Sequence, residues 1–410
     1  MHTNGNEGHA AVGVPGVVAN STTKNIGLRG ITVADTRVSH VDGAAGRLIY
    51  RGYDIDVLAG LSTFEEVAYL LIKGELPKAG ELALFARRVG EARVLAPETL
   101  AVLRAYDRGA KTMDVLQSIA PELAAHDPHP GDPSKEAMYA RAIDLVGKMA
   151  SVTAAWHRLR HGDEPIAADP SAGHAADFLR MVFGVAPDPA VARIMDVALI
   201  LHADHSLNAS TFVARTIEST RATIYAAIAG ALGALSGELH GGANARVMEM
   251  LQAVGSLDRV EGYVRETLGA GGLIMGMGHA VYHTNDPRAL ILMDLSREMG
   301  IQAGEPLWFE LTRRIQEVTQ QVFRERRHAE IYPNVDMYSA SLYHAMGFPG
   351  DLYTPVFAVA RVAGWSAHVI EERFAEAQEK PALYRPLADY VGHYCGPESC
   401  EYVPMERRAE

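Results

Sequence analysis

Four short segments of this chain carry residue types that chemistry needs. "LHADHSLNAST" (residues 201–211) holds His202, Asp204, His205 and Asn208. "ALSGELHGGANARVMEML" (234–251) sets His240 among Gly237, Gly241, Gly242 and Ala243 just before a helix-like run. "GAGGLIMGMGHAVYHTNDPRA" (269–289) holds His279, His283, Asp286 and Arg288, and "IYPNVDMYSASLYHAMGFP" (331–349) holds Asp336. Glycine loses more conformational freedom on folding than any other residue, so the cluster around His240 needs a reason. Either the chain turns there, or something approaches the backbone closely beside an imidazole at a helix start. A helix N-terminus disfavours positive charge, so that ring is expected to stay neutral. An aspartate ahead of "MYSASLYHAM" reads either as a helix N-cap or as a positioned, partly desolvated base.

Two other chemistries are weaker fits. His202 and His205 are i,i+3 and His279 and His283 are i,i+4, but there is no HExxH and nothing marks a third ligand, so no metal site is assigned. The glycines of 269–278 lack the GxGxxG spacing and follow a helix-like segment instead of a strand, against a dinucleotide fold.

These segments interrupt a chain that is otherwise helical. Residues 31–58 alternate like strands around the turn signal "DGAAG", predicting a hairpin. Beyond it helical periodicity dominates. Ser62 and Glu65 have capping-box spacing before "FEEVAYLLIKG", and "AMYARAIDLVGKMASVTAAWHRL", "DPAVARIMDVALILHADH" and "ASTFVARTIESTRATIYAAIAGALGAL" place apolar residues at helical intervals. "HDPHPGDPSK" and "HGDEPIAADPSAG" read as surface loops. The fold class is mainly α with a small N-terminal β element.

Composition narrows the function classes. The 410 residues, 48% hydrophobic, suffice for one large and one smaller domain. A net charge of −12 excludes a global nucleic-acid footprint, and the basic run "FRERRHAE" alternates with acids as a solvated helix face does. The longest run free of charged residues and of histidine, Ala222 to Gly237, is too short to span a bilayer and reads as a buried helix, so no membrane partner is expected. The only cysteines, Cys395 and Cys400, form no disulfide framework, which suits the cytoplasm. The first 23 residues have no Lys or Arg, and residues 1–26 read as a flexible extension, not a secretory signal.

In this order, "DHSLNASTF", "ELHGGAN", "GMGHAVYHTNDPRA", "YPNVDMYSA" and "FAVARVAGW" resemble the citrate synthase family, which includes 2-methylcitrate synthases. The likeness runs from "GLRGITVADTRVSHVDG", "LIYRGYDIDVLA" and "FEEVAYLLIKGELP" to "YRPLADYVG". It implies a two-domain helical homodimer: large domain 27–242 plus 343–410, the latter ending in a tail that crosses the dimer, and small domain 243–342. It implies condensation of acetyl-CoA with oxaloacetate and hydrolysis of citryl-CoA, with no metal or redox cofactor. His240, His279 and Asp336 match the family's catalytic residues. His240 would bind the thioester oxygen, His279 would polarise the oxaloacetate carbonyl and protonate the alkoxide, and Asp336 would be the base. His205, Arg288 and Arg361 match the oxaloacetate ligands, with Arg385 supplied by the other subunit and Arg373 as its alternative. Ile274, Gly276, Met277, Gly278 and Ala280 match the strip that recognises CoA. Two positions depart from the family: Ser206 replaces a carboxylate, and His283 stands where Lys or Arg often meets CoA phosphates. A 2-methylcitrate synthase using propionyl-CoA, and a non-catalytic protein keeping the fold, are the rival readings.

Overall fold

The computed structural model describes residues 27–28, 30–388 and 402–408. The expectations for residues 1–26 and for Cys395 and Cys400 lie outside the described residues. Residues 30–35 contain no helix or strand. From Thr36 onward the described chain is one unit of sixteen α-helices and a small sheet.

The sheet is the expected hairpin plus a short third strand. Strand β1 (Ser39–Asp42) pairs antiparallel with β2 (Arg47–Tyr50), and β2 with β3 (Tyr53–Asp54). The alternation predicted from residue 31 becomes a strand only at Ser39. At the tip, Asp42 Oδ1 accepts from the amides of Ala44 and Ala45, closing "DGAAG" with its own side chain.

The helix Tyr353–Phe374 is the axis of the molecule. Nineteen of its 22 residues are buried, so it is surrounded on every side, and the polar Arg361, His368, Glu371 and Glu372 are buried with the rest. Lys135–His161, Ala209–Ser219, Phe64–Lys73, Pro189–His202 and Ile224–Leu235 pack around it. The helices Ala243–Val254, Val260–Gly269, Pro287–Gln302, Pro306–Arg327 and Val335–Ala345 pack chiefly on one another.

Local signals set most boundaries, with two corrections. The N-cap of Phe64–Lys73 is Thr63, not Ser62: Thr63 Oγ1 accepts from Glu66 N, while Ser62 ends the preceding helix and hydrogen-bonds the Glu66 carboxylate. Glu65 instead accepts the amide of His174 across the core. The stretch "ASTFVARTIESTRATIYAAIAGALGAL" is two helices, because Arg221 turns left-handed (φ 68°) and Thr223 caps the second by accepting from Ala226 N. The uncharged run is then the buried helix Ile224–Leu235, as expected.

Candidate active site

Helix ends and inter-helix turns supply most of the polar groups that meet at one cleft. His205 follows the end of Pro189–His202, His240 precedes Ala243–Val254, and His279 and Arg288 flank the start of Pro287–Gln302. Asp336 lies in the first turn of Val335–Ala345, and Arg361 projects from the central helix. All six line the same cleft, joined by His40, Val41, Leu239 and Phe357. Six residues from five separate stretches of sequence thus converge on one cleft.

His240 sits where the chain is stripped of side chains for a packing reason. A Cβ on Gly241 would lie 2.3 Å from the Leu235 carbonyl oxygen, to which the Gly241 amide donates (3.0 Å). The glycine lets this turn fold back onto the helix before it. The His240 ring is held by Ser210: Ser210 N donates to Nε2 (3.3 Å), and Ser210 Oγ lies 2.8 Å from that nitrogen. Trp365 Nε1 donates to Ser210 Oγ (3.1 Å). With Nε2 an acceptor, the ring proton resides on Nδ1. Burial lowers the ring's pKa to about 4, with the positive charge of Arg361 adding to it. The ring is neutral as expected, with burial the main cause and Arg361 the second.

His279 is fixed in the opposite tautomer. Its Nδ1 accepts from the amides of Val281 (2.9 Å) and Tyr282 (3.1 Å), so Nε2 carries the proton. Burial, then Arg288, lower its pKa to about 4. His205 stands beside it, ring centroids 5.4 Å apart. Burial and the cations and rings around it hold His205 far below its ordinary pKa, and its Nε2 is buried without a protein partner among the described residues. Three neutral imidazoles therefore share the cleft.

Asp336 does not cap its helix. Asn334 does, accepting from Asp336 N through Oδ1 (3.0 Å), and the Asp336 carboxylate accepts no hydrogen bond from the described residues. Burial is the largest influence on it and raises its pKa to about 7, against the pull of Arg288 and Arg361. A carboxyl poised near neutrality is what a general base requires.

The two arginines are held differently. Arg288 gives one edge of its fork to Asp286, Nε to Oδ1 at 3.0 Å and Nη2 to Oδ2 at 2.7 Å. Asp286 is itself the N-cap of the following helix. Arg361 donates from Nε to the His202 carbonyl (2.6 Å) and stacks on Phe357, but its buried Nη2 has no partner among the described residues. Burial lowers its pKa to about 10, so it remains a cation. Buried donors without acceptors cost stability. Arg361 Nη2 offers an anion one donor of that kind, and His205 Nε2 adds a second in the tautomer that carries its proton there.

Other sequence expectations land elsewhere. Arg385 is exposed and does not line the cleft of its own chain. It follows Tyr384, which is anchored through its hydroxyl to Glu372 (3.0 Å) and through its amide to Ser219 (3.3 Å). Arg373 pairs with buried Glu218 at 3.1 Å, a structural use. Of the CoA strip, only Ala280 lines the cleft; Ile274 packs in the core. Gly276 is left-handed (φ 79°), and a Cβ there would lie 2.8 Å from Met337 Sδ and 2.9 Å from its Cα. Its carbonyl accepts from Asn334 N and that of Gly278 from Asn334 Nδ2, both at 2.9 Å, so these glycines seat the strip against the Asp336 helix. Ser206 adopts a left-handed conformation (φ 52°) and its amide donates to buried Asp204. His283 is exposed. His202, one of the histidines weighed for metal, is wholly buried, its Nδ1 2.7 Å from the Ala198 carbonyl.

Sequence reasoning missed the supports: Ser210 and Trp365 for His240, Asn334 for the strip, and Asp204 with Ser39 for the turn after His205. Only Asn334 and Asn208 had a readable signal, as N-cap residues ahead of helices.

Comparison with known proteins places the chain in a family. The profile "Citrate synthase, C-terminal domain" matches residues 27–387. The citrate synthase of Haloferax volcanii is 41% identical over 93% of this chain and 98% of its own. A 2-methylcitrate synthase of Mycobacterium tuberculosis is 36% identical over 90% of each chain. The ternary complex of citrate synthase from Thermoplasma acidophilum with carboxymethyl coenzyme A and oxaloacetate superimposes with a TM-score of 0.84 at 30% identity, covering 93% of this chain and 98% of that one. The chain thus belongs to the citrate synthase family of acyltransferases.

Proposed function

We propose that this protein is a citrate synthase, condensing acetyl-CoA with oxaloacetate and releasing citrate and CoA. The observation that carries the reading is the meeting of Asp336, His240 and His279 in one cleft, with pKa values of about 7, 4 and 4. The Asp336 carboxylate takes a proton from the acyl methyl. The Nδ1–H of His240 donates to the thioester oxygen as it becomes an enolate. The enolate carbon attacks the keto carbon of oxaloacetate, and the resulting alkoxide takes the Nε2 proton of His279. Water then cleaves the citryl thioester to citrate and free CoA. A neutral imidazole suits the two donor roles, because it delivers a proton or hydrogen bond without adding a fixed charge beside the arginines.

Arg361, Arg288 and His205 would hold the dicarboxylate, the unpartnered Arg361 Nη2 and His205 Nε2 supplying donors to it. The CoA strip around 274–280 would lie along the cleft mouth at Ala280. Residues 243–342 would act as a small domain closing over the large domain formed by 27–242 and 343–410. In a homodimer, the partner subunit would lend Arg385.

A second reading is 2-methylcitrate synthase with propionyl-CoA, favoured by the 36% identical relative of that name. One methylene is worth only about 1–3 kcal/mol of discrimination in an apolar pocket. Thiol release, followed with acetyl-CoA and propionyl-CoA in the presence and absence of oxaloacetate, tests both. Release from acetyl-CoA that requires oxaloacetate is expected. A higher kcat/KM for propionyl-CoA would select the second reading, and thioester hydrolysis independent of oxaloacetate would overturn both.

A further inference from the structure

The tip of the β1–β2 hairpin touches the cleft wall at one place, and the fit there is unusually close. The Gly43 carbonyl accepts from the His283 amide at 2.9 Å. A Cβ on Gly43 would lie 2.1 Å from the Val281 carbonyl oxygen and 2.8 Å from its carbonyl carbon. A Cβ on Gly46 would lie 2.7 Å from Thr284 Cγ2 and 2.9 Å from the Asn285 carbonyl oxygen. The obstructing atoms at Gly43 are backbone, so a side chain there could be accommodated only by moving the hairpin or the loop. Gly43 does not have a positive φ, so closeness of approach, not backbone conformation, is what requires glycine at that position.

The segment so clasped is the one that orients His279. The amides of Val281 and Tyr282 donate to His279 Nδ1 and thereby set its tautomer. The other end of β1 performs the matching task for His205. Ser39 Oγ donates to Asp204 Oδ2, and the Ser206 amide donates to both Ser39 Oγ (3.0 Å) and Asp204 Oδ2 (2.8 Å), fixing the turn directly after His205. The hairpin, through Ser39 in β1 and Gly43 at its tip, therefore braces the backbone beside two cleft histidines whose rings are 5.4 Å apart.

We infer that Gly43, through the Val281 backbone, is a positioning residue for His279, and that β1 and the turn that follows it serve as the common reference for the His205 and His279 rings. Its consequence for turnover rests on the condensing role given to His279 above; its consequence for the ring does not. Gly43→Ala is expected to push the Val281 amide away from Nδ1, lower kcat at least tenfold with acetyl-CoA and oxaloacetate, and leave the overall fold intact by circular dichroism.

The decisive reading is nitrogen NMR of protein labelled with 15N-histidine, the His279 and His240 signals assigned by loss in His279→Gln and His240→Gln. In the native protein, His279 should show a protonated Nε2 and an acceptor Nδ1, and His240 the reverse. In Gly43→Ala, the His279 pattern should change to mixed tautomers while His240, held by Ser210 and not by the hairpin, keeps its own. Gly60→Ala adds a Cβ where nothing lies within 4 Å and should change neither. Should Gly43→Ala fail to fold, Thr284→Leu presses on the neighbouring contact of the same loop with Gly46 and carries the same expectation. An unchanged His279 signal in a folded variant, or equal changes at both histidines, would overturn the inference. A shifted His279 ring in a protein that shows no oxaloacetate-dependent thiol release would instead sink the proposed reaction and leave the positioning intact.

Discussion

Two buried arginines, Arg93 and Arg361, are each about 1% exposed, and they differ in what surrounds them. Arg93 donates from Nε to Asp177 (2.8 Å) and from Nη2 to the carbonyls of Asp169 (2.8 Å) and Ala172 (2.7 Å), tying the loop before the helix His174–Phe183 to the end of Ala79–Ala92. Arg361 has one carbonyl on Nε, an aromatic face beneath it and an unpartnered Nη2. The charge of Arg93 is neutralised and its position serves the fold. Arg361 has no ion-pair partner among the described residues; the buried Asp204 and Asp336 carboxyls act on it only through space, and its spare Nη2 donor is left for a ligand. The same residue type in equal burial thus marks structure in one place and a site in the other.

That contrast can be broken, most severely at Arg93. Arg93→Ala removes one of the two arginines on buried Asp177, leaving Arg180, and orphans the carbonyls of Asp169 and Ala172; it should lower stability by about 3 kcal/mol, measured by urea unfolding. A loss below about 1 kcal/mol would show that the Arg93 network is not structural. Next comes Asp336→Asn, expected to cut kcat by at least ~10²-fold, about 2.7 kcal/mol, without loss of stability. The sign follows from the raised carboxyl: with a folded pKa near 7 against 3.8 in the unfolded chain, ionised Asp336 weakens the fold increasingly as pH rises between those values, and the amide removes that penalty. A near-normal kcat in Asp336→Asn would remove the residue from the reaction.

A smaller effect sharpens the electrostatic side. Only the ionised Asp336 is a base, so kcat/KM for acetyl-CoA should fall about tenfold per pH unit below pH 7 and level off above it. His240 and His279, near 4, remain neutral through that range and should add no second slope above pH 5. A flat profile from pH 5.5 to 8 would contradict the assignment. The smallest expected change lies far from the cleft: Thr63→Ala should cost about 1 kcal/mol of stability by loss of its cap and leave kcat unchanged.

The sequence was most readable where a residue's role depends on chain neighbours. Helical periodicity found the helices, "DGAAG" the hairpin tip, and the motif order the six cleft residues. It failed where the role depends on a distant partner. Glu65 looked like half of a capping box because the amide of His174, 109 residues away, was invisible. The glycines near His240 and in 276–278 suggested substrate approach, whereas Gly241 and Gly276 are explained by Leu235 and Met337 pressing against them. The neutral state of His240 was foreseen, but its cause, burial beside Arg361, exists only once the central helix is in place. The supports Ser210, Trp365 and Ser39 are ordinary residues in sequence and acquire a role only through contacts made in three dimensions.

The central claim is that the unpartnered buried donors of the cleft form a dicarboxylate site, and calorimetric titration of oxaloacetate into the native protein and Arg361→Leu tests it most directly. The native protein should bind oxaloacetate, and the variant, folded and with no loss of stability, should bind at least about tenfold more weakly, the ~1.4 kcal/mol expected at minimum for a lost charge-assisted hydrogen bond. Equal affinity in a folded Arg361→Leu protein would contradict the claim.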